Sequence, residues 1–174
     1  MRVTTPYEGR HFSGWDARAP IAAPLRLHRC RVREEWTDYN AHLSESFFLF
    51  IFGDNSDAFF RYFGIDEQYR AAGQSIYTVE THLRHVGEAS LDDELVCTLR
   101  VLGVADRKLH IAHTLHRADD DRLLATAEQL LVHVDLGTGR ASAFPPDIRA
   151  RLAAIADAHS QLAIPDWVGR RIGM

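Results

Sequence analysis

Alternation of apolar and polar positions governs most of the chain beyond residue 24, and one stretch breaks it. "LRLHRCRV", Leu25 to Val32, alternates as a strand should, with a slip near Arg29 that reads as a bulge. Between Ser44 and Phe63 the rhythm changes. Phe47, Phe48, Phe50, Ile51, Phe52, Phe59, Phe60 and Phe63 nearly encircle a helix axis, with no proline and with Gly53 as the weak point. A surface helix carries a single apolar stripe. This pattern instead predicts a helix that the rest of the chain must enclose. Ser44 suits its N-cap or first turn, Glu45 the positive end of its dipole, and Gly64 its end.

Alternation then resumes. "IDEQYRAAG" reads as a short connection. The strands "QSIYTVETHLRHV", "ELVCTLRVLGV", "KLHIAHTLHRA" and "LLATAEQLLVHVD" follow. The second places Leu95, Cys97, Leu99 and Val101 on one face, and the third does the same for Leu109, Ile111, His113 and Leu115. "ADRK" and "ADDDR" are polar hairpin connections, so the sheet is expected to be antiparallel. "FPPDIRARLAAIADAHSQLA" predicts a last helix that starts after paired prolines. The class is therefore α+β, a curved antiparallel sheet around a long central helix. Residues 1–24 read as an irregular arm, 25–160 as one domain and 161–174 as a tail.

Composition narrows the function classes. The 174 residues are 46% hydrophobic and 25% charged, with a formal net charge of −4 and no basic stripe, which argues against nucleic acid as a partner. No stretch approaches the ~20 apolar residues of a membrane span. The N-terminus lacks the features of a signal peptide, so a cytoplasmic protein is expected. Cys30 and Cys97 are too few for a disulfide scaffold and read as small core residues. His82 and His85, like His110 and His113, lie three apart on predicted strands and so face opposite ways. No metal site is expected from them.

The segment before the long helix carries a resemblance. In "WTDYNAHLSESFFLFIFGDN" an Asp precedes a His by four residues, and Asp54 follows that His by twelve. With the closing "HVDLGTGRASAFPPDI", this resembles the hotdog-fold thioesterases of the 4-hydroxybenzoyl-CoA thioesterase-like family over roughly residues 25–150. The segments "SIYTVETHLRH" and "LLATAEQLLVHVD" are similar to the betainyl-CoA thioesterase group of carnitine catabolism. The resemblance implies an acyl-CoA thioester hydrolase that needs no metal or cofactor, CoA arriving as part of the substrate. It also implies a homodimer, or a dimer of dimers, with strands paired across the interface. One departure stands out: Ala41 occupies a position where the family usually has glycine.

Thioester hydrolysis needs an activated water or a nucleophile, and donors for the oxyanion. Asp38, the position the family motif implicates, is the candidate base or nucleophile; otherwise it caps a turn. The unpaired N–H groups of the helix start would polarise the carbonyl. His42 either orients the loop or polarises the thioester. Asn40 either positions substrate or shapes a turn. Asp54 is the alternative acid. A quaternary ammonium on the acyl group would be recognised by aromatic faces, for which Trp36, Tyr39, Phe47, Phe48 and Tyr77 are candidates, with Ser44 nearby. Arg84, Arg107 and Lys108 are candidates for the CoA phosphates. A dehydratase on the same fold and a non-catalytic acyl-CoA-binding module are the competing readings.

Overall fold

Where the sequence alternates, the chain is extended. The computed structural model describes residues 4–10 and 15–173. In chain order the elements are β1 (Leu25–Arg31), α1 (Glu45–Phe63), α2 (Glu67–Ala71), β2 (Gln74–His85), β3 (Glu94–Val104), β4 (Lys108–Arg117), β5 (Leu123–Asp135), β6 (Arg140–Ala141) and α3 (Pro146–His159). The strands lie in the order β1-β3-β4-β5-β2, every neighbouring pair antiparallel, with β6 added to β5. The β3–β4 hairpin closes with Ala105 N–H donating to Lys108 O (2.9 Å), and β4–β5 with Arg117 N–H donating to Arg122 O (3.0 Å). The slip in β1 falls between Leu25 and His28, slightly before the expected place.

The sheet curls round α1 in the hotdog arrangement. Ile51, Phe52, Phe59 and Phe63 are fully buried, and the core-facing Leu95, Leu99, Leu109, Ile111 and Leu115 of β3 and β4 meet them. Each such side chain contributes about 1.5–3 kcal/mol by leaving water. That outweighs the ~1 kcal/mol cost of Gly53 in mid-helix. α3 closes the far end, packing Ile148, Leu152 and Ile155 against Phe59 and Phe63. The helix stops at Gly64, whose φ of 108° is left-handed and whose N–H donates to Phe60 O (3.0 Å). A Cβ there would also strike the Arg151 guanidinium.

α1 is less apolar than its phenylalanines suggest, because Asp54, Asn55, Ser56, Asp57 and Arg61 are buried as well. Most are satisfied internally. Asn55 Nδ2 donates to His113 Nδ1 (2.9 Å), so His113 Nε2–H donates to Gln129 Oε1 (3.0 Å). Burial holds that imidazole neutral, pushing its pKa down to about 4. Arg61 pairs with Asp57 (3.0 Å) and Glu67 (2.5 Å), and Thr5 Oγ1 donates to Asp57. The connection after α1 holds the short helix α2, started by Asp66, whose carboxylate accepts from Tyr69 N–H (3.0 Å).

β2 is an edge strand with no pairing on its outer side among the described residues, and Tyr77 to Thr81 along it are exposed. The other edge, β1, lies beneath residues 4–10, where Tyr7 Oη donates to Leu27 O (3.1 Å). Among the described residues, no helix is long and apolar enough to cross a membrane.

Candidate functional site

Asp38 sits on a tight loop folded over the start of α1. Its N–H donates to His42 O (2.9 Å), its carbonyl accepts from Ala41 N–H (2.9 Å), and Thr37 bridges to Leu43. Ser44 N–H then returns to Trp36 O (2.9 Å), and Leu43 N–H donates to Ala89 O (2.8 Å). The loop is thus anchored between the helix and the segment after β2. Beneath it, Trp36 stacks on Phe47 (5.8 Å between ring centroids) and meets Phe50 edge-on (5.7 Å). This is what the large apolar residues on either side of the loop do: they pin it.

Ala41 keeps a left-handed backbone, φ 60°. It stands where the family pattern has glycine and holds a backbone a glycine would accept freely, at about 1–2 kcal/mol of local strain for a residue with a Cβ. One oxygen of Asp38 accepts from Asn40 N–H (2.8 Å) and, at longer range, from His42 N–H (3.4 Å), an Asx turn. Oδ2 has no hydrogen-bond partner among the described residues.

A cleft of about 310 Å³ opens at this loop. Asp38, Asn40 and His42 line it with Phe48, His85 and Glu88. His42 Nε2 lies 3.7 Å from Glu88 Oε2, and the His85 ring stands edge-on to Phe48 at 4.7 Å. Glu45, first residue of α1, lines the same cleft. The N–H groups of Glu45 and Ser46 meet no acceptor among the described residues, and Ser44 makes no side-chain cap. An anionic oxygen at the cleft floor would find a half-exposed carboxylate on one side and an uncapped helix start on the other.

The other candidate residues are dispersed. Trp36 is buried and supports the loop, Phe47 stacks on it, and Ser44 spends its N–H on Trp36. Tyr39 projects from the loop, 97% exposed. Arg84 immediately precedes His85 at the cleft end of β2. Tyr77 lies eight residues back along that strand, about 26 Å away. Arg107 and Lys108 lie at Tyr77's end, since Lys108 and Tyr77 both pair with Val132. The sequence weighed His85 only as a metal ligand and Glu88 not at all, because nothing local marks a strand's last residue and the turn after it as neighbours of a loop some forty residues earlier.

Asp54 belongs to different surroundings. It lies nine residues beyond the start of α1, about 13 Å along the axis. It lines a separate cavity of about 810 Å³ against β1 and residues 4–10. Burial, reinforced by Asp57 and opposed by Arg33, pushes its pKa up to about 6. The histidines do not converge: His113 is in the core, while His110 pairs with Glu128 (2.7 Å). Among the described residues, no three metal-ligating side chains come together.

The sequence profile of the "Thioesterase-like superfamily" matches residues 32–152. The chain belongs to that superfamily. The match spans the loop, α1, strands β2 to β6 and the first half of α3, and starts just after β1. The chain is 42% identical over 152 residues to the L-carnitine dehydrogenase/betainyl-CoA thioesterase of Rhizobium meliloti, covering 87% of this chain but only 31% of that protein. It is 37% identical over 151 residues to the betainyl-CoA thioesterase of Pseudomonas aeruginosa, covering 86% of this chain and 95% of that one. Among solved structures, a Pseudomonas putida KT2440 protein described as a thioesterase superposes with a TM-score of 0.77 at 33% identity, covering 87% of this chain and 97% of that one.

Proposed function

We propose that the chain hydrolyses a short acyl-CoA thioester at the Asp38 cleft, betainyl-CoA to betaine and CoA. The observation that carries this is the similarity to the Pseudomonas aeruginosa betainyl-CoA thioesterase, which runs along nearly that protein's whole length. The cleft supports it chemically. Asp38 Oδ2 is the oxygen that activates water or attacks the thioester carbon. The N–H groups of Glu45 and Ser46 receive the developing oxyanion. His42, beside Glu88, orients the loop and the thioester. The reading calls for no metal or cofactor, and a cytoplasmic setting is part of the same proposal.

The working unit is proposed to be a homodimer joined through β2. Among the described residues this edge is left unpaired along its twelve-residue length, and such edges are normally paired or covered. Antiparallel pairing of two copies about a two-fold axis reverses the strand. Tyr77, Arg107 and Lys108 of one copy then lie alongside the Asp38 cleft of the other. An acyl cage and a CoA phosphate site would form from residues that are far apart in a single chain.

A thiol-release assay across acyl-CoAs tests the reaction. Betainyl-CoA is expected to be turned over fastest. Rapid hydrolysis of long fatty acyl-CoAs with little of betainyl-CoA would overturn the substrate, and tight binding without turnover of any acyl-CoA would overturn the activity.

A further inference from the structure

We propose that the cavity between residues 4–10, β1 and the flank of α1 binds a small zwitterion, its positive nitrogen on Asp54 and its carboxylate at an arginine rim. The site is distinct from the Asp38 cleft and independent of the reaction proposed there.

The first observation is a buried charge without a counter-charge. Asp54 is 5% exposed, yet its carboxylate takes part in no hydrogen bond or ion pair among the described residues. Asp57, one turn further along the same helix, is the internal control: it has Arg61 and Thr5. A carboxylate left like this is destabilising unless something neutralises it, either a proton or a cation. Its raised pKa, about 6, reflects that deficit. The nearest candidate within the chain does not fill the role. Arg33 lies over the Trp36 ring at 5.0 Å and is 3.8 Å from Glu35.

The second observation is a buried imidazole nitrogen. His28, 4% exposed, also lines the cavity. Tyr7 Oη donates to Leu27 O (3.1 Å), so His28 Nδ1–H must donate to Tyr7 Oη (2.8 Å). Nε2 is then a bare acceptor, and it is buried without a partner. The cavity is thus lined by an unpartnered carboxylate and by a histidine whose Nε2 lacks a donor, and among the described residues no side chain donates to either. That is the complement of an ammonium group.

The rim is net positive, four arginines against the carboxylates Glu34 and Asp92. Arg10, Arg29 and Arg31 line the opening with Arg33 and are all exposed, and of these Arg31 is already paired with Glu94. A ligand with its cation inward and its anion outward meets both ends. Phe50 and Tyr7 supply apolar wall for the carbon atoms between.

Calorimetric titration of the full chain tests this with glycine, 4-aminobutyrate and glycine betaine, and with 3,3-dimethylbutyrate, which has betaine's shape without its positive charge. At least one zwitterion is expected to saturate the protein with a Kd of about 1 mM or tighter. The butyrate should not, Asp54→Asn should weaken binding at least about tenfold, and Asp38→Asn should leave it unchanged. A primary-amine preference would place the donor on both Asp54 and His28, and a betaine preference would place the charge on Asp54 alone; either supports the site. No saturation by any zwitterion, equal binding of the butyrate, or full affinity in a folded Asp54→Asn protein overturns it. Loss of binding in Asp38→Asn also overturns it, because the ligand would then occupy the other cleft.

Discussion

The two flanks of α1 treat a carboxylate in opposite ways. On the β2 side Asp38 is half exposed, held by its own turn and placed beside a helix start. On the β1 side Asp54 is enclosed, unpaired and held partly protonated near neutrality. An exposed carboxylate with one free oxygen can reach and act on water. An enclosed one keeps its proton to higher pH, and a bound cation would offset the cost of its charge. The same residue type thus suits chemistry on one side and recognition on the other, and what separates them is burial and partners, not sequence context.

The largest expected effect concerns the first flank. Asp38→Asn keeps the Asx turn, so folding should be intact, while kcat falls by about 10²–10⁴-fold. If turnover survives that change and is lost in Asp54→Asn, the roles of the two carboxylates are reversed. Next comes the edge. Val79→Lys places a charge on the exposed bulge of β2, and light scattering should show a monomer with turnover reduced by about tenfold or more. A fully active monomer would remove the need for a second copy.

The second flank predicts a gain. In the folded state the Asp54 carboxyl binds its proton more tightly than in the unfolded chain. Its ionisation is therefore a cost above pH 6 that disappears as pH falls below the ordinary carboxylate range. Asp54→Asn should raise stability by about 2 kcal/mol at pH 7.5 and by almost nothing near pH 4, measured by urea unfolding. Destabilisation at pH 7.5 would mean that the carboxylate has a structural partner. The smallest effect is at the loop. Ala41→Gly relieves left-handed strain but adds freedom to the unfolded chain, so a net gain of about 0.5 kcal/mol is expected.

Much of this was legible in the pattern of residues. β3 and β5 begin and end where alternation does, because the sheet has one face in the core and side chains at i and i+2 share it. α1 was legible from its phenylalanines, and the loop that carries Asp38 and His42 was marked by the family resemblance. The buried polar residues of α1 were not, since "GDNSD" reads as a solvated patch until Arg61, His113 and Gln129 are seen to meet it from distant segments. Trp36, a candidate for substrate contact, is buried beneath the loop, where Phe47 and Phe50, one helical turn apart, meet its ring, a packing with no local signal. His85 and Glu88 join the cleft because His42 bridges to Ser90 and Leu43 N–H donates to Ala89 O, tertiary pairings with no local signature.

The unpaired margin of β2 has a genetic corollary. If each reaction centre is drawn from two chains, as proposed above, two crippled sequences can rescue one another. A chain lacking the Asp38 carboxylate, mixed with a chain lacking the cationic hairpin tip at Arg107 and Lys108, would yield hybrids in which one centre inherits both defects and its twin neither. Co-expression should then recover activity that neither parent possesses alone.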